Sequence, residues 1–310
     1  MSDPAPHRTP WRQTRSAQAV RTFFRTLGLH GVLAIISFAL ALPFVWMVMT
    51  SLSHLGEVGV GTWVPERLRW ENYGEVFRYE RQDIAAEDLA VSPEDRPRGI
   101  PFARYYWNSV FVASWVTFLQ VLTSSLAAFS FARLRWPGRD RVFLLYLATM
   151  MLPGLVMMIP NYQIMIYLGL VDTLAGLIIP ASFSAFGPFL LRQFMLTIPT
   201  SLDEAAEIDG ASKWRLFWDV ILPLSRPGLI VLAIFTFIGN YHSFFWPLVM
   251  IRSQHRYTLP IGLLYFDSTR GTETTLLMAA VTMSVVPMIL LFVLLQKYLV
   301  KGIQLGAVKG

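Results

Sequence analysis

Six stretches of the chain are empty of Asp, Glu, Lys and Arg, at about residues 28–52, 107–132, 142–164, 173–191, 228–250 and 275–296. A helix that crosses a bilayer needs roughly 20 mostly apolar residues, and a charge at mid-bilayer costs about 2.5–3.5 kcal/mol on insertion scales. The pattern therefore predicts six membrane-spanning helices. Pro153 and Pro160 interrupt the third, Pro180 and Pro188 the fourth, and only the short segment from Leu168 to Asp172 divides the two. Proline is tolerated in a span where neighbouring groups re-satisfy the freed carbonyls. A re-entrant element in place of one of these two spans stays open at this point.

Composition supports a membrane protein. Of 310 residues, 54% are hydrophobic and 15% charged, where a soluble domain carries about 25% charged residues. The absence of Cys excludes disulfides, thiolate metal sites and thiol nucleophiles. No G-x-x-x-x-G-K-[ST] stretch is present, so the chain holds no ATP by a phosphate loop. His7, His30, His54, His242 and His255 lie scattered, with no pair at metal-ligand spacing. Ion-coupled pumps and acid-pair hydrolases usually place charged groups inside the bundle, and no Asp, Glu, Lys or Arg lies in these spans. No cofactor or metal is expected, and the driving force is expected outside the chain.

Lys and Arg near span ends set orientation. The N-terminal segment 1–27 has Arg8, Arg12, Arg15, Arg21 and Arg25 against Asp3 alone; Arg133, Arg135, Arg139 and Arg141 follow the second span. Arg192, Lys213, Arg215 and Arg226 follow the fourth, and Lys297, Lys301 and Lys309 end the chain. With six alternating spans all of these share one side, which places both termini in the cytoplasm and the long loop 53–106 outside. Ala19, Val20, Phe23, Phe24 and Leu27 fall on one helical face, with Arg21 and Arg25 opposite. That predicts a short helix lying on the inner membrane surface, with residues 1–14 either part of it or a loose basic tail. The start lacks a signal-peptide cleavage site, because Leu42-Pro43-Phe44 stands where small residues would be needed.

The most informative polar segment is the loop 195–226. Ser201, followed three residues later by Glu204, reads as a capping box that opens a helix. Gly210 falls where that helix must stop and turn, and Ser212 is placed to cap a second helix. In that second helix Trp214, Phe217, Trp218 and Ile221 form an apolar stripe, which Pro223 ends. Two short helices in an L are predicted. Physics alone leaves two roles open, an interfacial anchor or a docking site for a partner.

The spacing Glu204-Ala205-Ala206, three residues, Gly210, nine residues, Val220, one residue, Leu222-Pro223 resembles the signature of ABC importer permeases. The surroundings are similar to the carbohydrate-uptake branch, in particular the smaller maltose-type permease. Asn108-Ser109, Leu168-Gly169-Leu170-Val171-Asp172-Thr173, Phe189 through Phe194, Tyr257-Thr258-Leu259-Pro260 and the closing stretch Leu299–Gly310 carry that likeness. It covers about residues 28–310, apart from part of the first outer loop. The resemblance implies an all-α integral membrane protein, a transmembrane domain over 28–298 with a cytoplasmic coupling loop. Implied partners are a second permease, two ABC ATPase subunits that bind the ATP, an outer solute-binding protein and membrane lipid, with no nucleic acid. The implied place is a bacterial inner membrane. Glu204 is then the contact to a basic ATPase residue, Ala205 and Ala206 permit close packing, and Gly210 makes the turn, with Leu222 and Pro223 closing the motif.

Three regions stay open. Residues 79–100 are polar and acidic where relatives are shorter, either a surface insertion or an added partner contact. In the fifth span Tyr241-His242-Ser243 stands where relatives commonly show Trp-Asn-Asp or Trp-Asn-Glu, and with Asn240 these residues form the densest polar cluster in any span. They either bond helix to helix or line a solute path, where a ring and a donor suit a sugar. In the tail 299–310, Gly302, Gly306 and Gly310 favour an extended strand over a helix. That tail is either a frayed end or, by the resemblance, a reach into the ATPase interface through Gln304, Lys309 and Gly310.

Overall fold

The computed structural model describes residues 11–58, 63–78, 101–264 and 274–307. Among these the chain is helical, with no strand. The long elements are α1 (Trp11–Ser51), α3 (Phe102–Arg133) and α13 (Thr274–Ala307), with the small α2 (Glu71–Arg78) between the first two. The remaining spans are broken. Helix α4 (Arg139–Ala148) and one 3-10 turn lead to α5 (Gly154–Tyr167) across a 100° bend. Helix α6 (Leu174–Ala181) meets α7 (Phe186–Leu196) at 42°. Helices α8 (Ser201–Ile208) and α9 (Lys213–Leu224) form the polar loop, and α9 turns by 75° into α10 (Arg226–Tyr241). Helices α11 (Phe245–Met250) and α12 (Leu259–Leu263) complete the set. Among the described residues three helices are long and apolar enough to cross a membrane alone, and up to six spans result if each bent pair counts as one, although α9, half of the third pair, lies outside the fifth charge-free window 228–250.

The breaks have physical causes. Pro153 sits before α5 in extended geometry (ψ 125°), having no N–H to continue the preceding turn. Pro160 rides inside α5 without ending it. The α6–α7 break holds no proline of its own. Its free carbonyls are taken by neighbours instead, Ser182 O by the Thr123 hydroxyl at 3.0 Å and Ser184 O by the Tyr146 hydroxyl at 2.8 Å. That is how a broken helix survives at membrane depth.

Helix α3 is the axis of the bundle. At a rise of about 1.5 Å per residue it runs roughly 48 Å, with α7 and α10 along its sides and α6 and α12 towards its N-terminal end. The approach to α7 is so close that a Cβ on Gly187 would fall 2.1 Å from Ser124 Oγ. Helix α13 packs on α10 and α2, and α1 packs on α13.

Two expectations need correction. The amphipathic N-terminal stretch is no separate helix lying apart from the first span. It continues into it as one helix from Trp11 to Ser51, because nothing before Pro43 breaks the ladder and Gly28 and Gly31 are single, tolerated residues. The tail is likewise no extended strand. Helix α13 runs on through Gly302, Gln304 and Gly306 to Ala307. Extending a formed helix adds one bond per residue, which offsets the cost of about 1 kcal/mol per glycine. Lys309 and Gly310 lie outside the described residues, as does the insertion 79–100.

Candidate functional site

The two-helix loop closes one end of the bundle, beside the C-terminus of α3. Its first helix is not capped by Ser201. Thr200 holds the cap position without a side-chain bond. The first amides are met by backbone instead, Leu202 N–H by Pro199 O at 3.3 Å and Asp203 and Glu204 N–H by Thr200 O at 3.0 and 3.1 Å. Asp203 and Glu204 fall in the first turn, where the helix dipole favours carboxylates.

The end of α8 follows the sequence expectation. Gly210 has φ +77°, Ala211 N–H donates to Ala206 O at 2.9 Å and Gly210 N–H to Glu207 O at 3.0 Å. This is the Schellman pair, which needs a residue at positive φ. Ser212 then caps α9, accepting from Arg215 N–H at 3.3 Å. An ion pair from Lys213 to Glu207 bridges the turn and holds the Glu207 carboxyl below the usual range.

Helix α9 changes geometry along its length. It opens as one α-turn, widens to π over Leu216–Ile221 and returns to α at Leu222–Leu224. Leu222 N–H reaches back five residues to Phe217 O. The cause is Pro223, which lacks a donor and whose ring would press on the carbonyl of Asp219, four residues earlier. The predicted stripe is thereby split. Phe217 and Ile221 are buried with Leu216 against Ala128, Phe129, Leu191, Met195 and Leu232, the Phe129 and Phe217 rings lying 5.1 Å apart. Trp214 and Trp218 face outward.

What seats α8 is Arg133, the last residue of α3. Its side chain is only 3% exposed. One nitrogen meets Asp203 Oδ2 at 3.0 Å, and the other donates to Met195 O at 2.5 Å and Ile198 O at 2.8 Å. A single guanidinium fork thus binds α3, the end of α7 and the first turn of α8, a geometry that a point charge such as Lys does not match. In the sequence Arg133 stands only as one of four arginines that orient the chain. The signal available there was its position directly at the end of a charge-free helix, without a solvated spacer.

Between α8 and the 134–139 loop lies a cleft of about 870 Å³, with Arg135, Trp136 and Arg139 on one wall and Asp203, Glu204 and Glu207 on the other. Glu204 is exposed and makes no ion pair among the described residues. Ala205 is exposed beside it, while Ala206 is half-buried on the core with Val220 and Leu222, and Pro223 is half-buried too. Ile208 is 86% exposed and Trp214 is exposed as well. The arrangement offers a partner the Glu204 carboxylate on the acidic wall of a cleft whose other wall is basic, with the bare apolar side chains of Ile208 and Trp214 in the same loop.

The fifth-span cluster divides. Tyr241 is 1% exposed, stacks on Phe237 at 5.7 Å and donates from its hydroxyl to Ser284 O on α13 at 3.0 Å. Its side chain is occupied in joining α10 to α13. Asn240 bonds Thr236 O of its own helix at 2.8 Å. His242 is exposed, edge-on to Tyr241, and with half-buried Ser243 occupies the break between α10 and α11. Among the described residues no group of His, Asp or Glu is arranged to hold a metal ion.

Residues 120–305 match the family described as "Binding-protein-dependent transport system inner membrane component". The arabinooligosaccharides transport system permease protein AraQ of Halalkalibacterium halodurans is 37% identical over 212 residues, covering 67% of this chain and 76% of that protein. The sn-glycerol-3-phosphate transport system permease protein UgpE of Brucella abortus is 36% identical over 211 residues, covering 67% and 75%. Among solved structures, a chain of a bacterial ABC transporter involved in the import of the acidic polysaccharide alginate superposes with a TM-score of 0.73 at 22% identity, over 95% of this chain and 100% of that one.

Proposed function

The chain belongs to the family of binding-protein-dependent transport system inner membrane components, and we propose that it forms, with a second permease subunit, the path for a carbohydrate or related solute. It is a multi-pass inner-membrane permease of the ABC importer type. In our reading two separate ATPase subunits supply the work, a solute-binding protein delivers the cargo outside, and both termini lie in the cytoplasm. The solute class comes from the relatives: oligosaccharide permeases favour a sugar, and the UgpE likeness keeps a glycerophosphate as the second reading.

The observation that carries the proposal is the α8–α9 loop. Glu204 lines a cleft of mixed charge without an ion pair of its own among the described residues, and Ile208 and Trp214 are bare. These are groups a partner would cover, since aromatic side chains are enriched in interface cores. The loop is bound to α3 by Arg133 and to the core by Phe217, so a push on α8 reaches the bundle. Movement of rigid bodies around a fixed solute path is the logic of alternating access.

The test uses the complete complex in vesicles. Glu204→Ala with Gly210→Val should abolish solute-stimulated ATP hydrolysis while the chain still inserts. At Gly210 a Cβ meets nothing within 4 Å, so the loss is conformational, about 1–3 kcal/mol for a β-branched residue held at positive φ. Intact stimulation in the double variant sinks the docking assignment. Reporters fused after Arg25, Arg139, Gly210 and Gly310 should all read cytoplasmic, and an outward reading after Gly210 overturns the orientation.

A further inference from the structure

At the opposite end of α3 the chain carries a second knot, centred on Asp172 in the α5–α6 turn. Asp172 has φ 58°, the one non-glycine at positive φ among the described residues. A residue with a Cβ stays in that region only where its surroundings over-determine it. They do so here, because every polar atom of Asp172 is engaged by one segment, residues 250–256. Its N–H donates to Met250 O at 2.8 Å. Oδ1 accepts from the amides of Arg252 and Ser253 at 3.0 and 2.9 Å. Oδ2 accepts from the Ser253 hydroxyl, and from Arg256 at 3.0 Å, and Arg256 also reaches the Asp172 carbonyl.

The clamped segment has almost no regular structure of its own, only one 3-10 turn at Gln254–Arg256. Side chains of other elements hold it. Asn108 donates to His255 O and Tyr257 O at 3.1 and 3.0 Å, Ser109 accepts from Leu259 N–H at 2.7 Å, and Arg252 donates to the Tyr162 hydroxyl at 3.1 Å. Asp172 is the member that reaches the end of α11. Partial burial alone would raise its carboxyl, but the Ser253 hydroxyl and amide, the Arg252 amide and the Arg256 charge outweigh that and hold it at about 2. The carboxylate acceptor is therefore present at any working pH.

The fifth span is broken at His242–Phe244, and its second piece, α11, is only six residues long. So short a helix has no stability of its own and needs an anchor at each end. Trp246 Nε1 bonds Gly176 O of α6 at 3.2 Å, and Met250 is tied to Asp172. We propose that Asp172 is a positioning residue for solute passage, which fixes the far end of the broken fifth span against the α5–α6 turn and so places the His242–Phe244 break. The inference rests on the solute-path reading of that break.

The experiment reads solute imported per ATP hydrolysed, with the complete complex and its binding protein in vesicles, for three replacements of Asp172. Asp172→Asn keeps the positive φ and one acceptor for the two amides, and should stay within about threefold of the parent. Asp172→Gly keeps only the backbone conformation and Asp172→Ala neither feature. Both should lose at least about tenfold in solute per ATP while the assembled complex keeps its basal ATP hydrolysis. Parental import by Asp172→Gly would show that only the turn matters and overturns the clamp. Loss of ATP hydrolysis in proportion to import would reduce Asp172 to a general structural role and overturns it equally. Should Gly and Ala chains fail to assemble, Arg256→Gln removes one donor and leaves the turn; an intermediate loss supports the clamp and parental behaviour refutes it. His242→Ala run alongside separates the two failures. Parental import in His242→Ala sinks the path reading, whereas altered import there with parental import in Asp172→Gly sinks the clamp alone.

Discussion

Replacing Arg133 by Met tests how the α8–α9 loop is held. The guanidinium is 3% exposed and Asp203 16%, so both charges sit largely out of water. Removing one member of such a pair costs about 3–5 kcal/mol, because the other is left buried and uncompensated. Two backbone carbonyls, of Met195 and Ile198, lose their donor as well. The exposed Lys213–Glu207 pair offers the contrast, since both of its side chains stand in water, where such pairs add little to stability. Amide exchange over Thr200–Ile208 reads the local opening free energy of α8. Arg133→Met should speed that exchange by roughly two to three and a half powers of ten at about 1.4 kcal/mol per decade, and Lys213→Met by less than one. The double change Arg133→Met with Asp203→Leu should recover a large part of the loss, since no buried charge is then orphaned. A difference between Arg133→Met and Lys213→Met below about 0.5 kcal/mol, or strict additivity in the double variant, refutes the argument that this pair seats the loop.

Gly187→Ala should destabilise the complex by about 1–3 kcal/mol through overpacking on Ser124, and Ser124→Gly in the same chain should restore its melting temperature; failure of that rescue disproves the contact. Deleting Gly302 through Gly310 should change the ATPase rate or assembly without changing the amount of inserted permease, and unchanged turnover and uptake would leave the tail a frayed end. The Asp172 carboxyl is depressed to about 2 from an ordinary value near ~3.9. Its stabilisation is complete above the higher of these values and fades only as pH falls towards the lower. Uptake of the parent and of Asp172→Asn should therefore follow profiles of the same shape between pH 5 and 8, and a slope present in only one of them contradicts the sign.

What the sequence revealed was what depends on composition and local backbone need. Charge-free windows mark the spans, a glycine marks the end of α8, and Ser212 marks the start of α9. The helix opening at Ser201 misled because a capping box is a permitted arrangement, and the carbonyl of Thr200 takes the Glu204 amide that the Ser201 side chain would have capped. The apolar stripe on α9 was read with a uniform 3.6-residue period. Pro223 forces a π turn upstream, which changes the period at the point where inward and outward residues separate, so that Phe217 goes in while Trp214 and Trp218 stay out. The tail was judged by its glycines alone, although a helix already 28 residues long at Lys301 extends at little cost. Arg133 and Asp172 were hidden for a different reason. Each was visible as a residue, but its partners lie 62 to 84 positions away, and no local pattern encodes such a distance.

Their placement shows how a bundle with a neutral middle is kept in register. The spans hold no Asp, Glu, Lys or Arg that must find a partner, so dispersion, small-residue contacts such as Gly187 on Ser124, and a few hydroxyl bonds join the helices at mid-depth. Such contacts are weak singly and allow helices to shift against one another. Among the described residues strong polar links gather where α3 begins and ends, Asn108 and Ser109 with the Asp172 clamp at one end and Arg133 at the other. Breaking either costs more than repacking the middle, because each ties a charge or a buried amide that has no other partner nearby. If α8 is the docking element we propose, a push delivered there would meet a stiff joint first and a yielding bundle beyond it. The displacement would then be taken up among apolar faces, and not by detaching the loop that received the push.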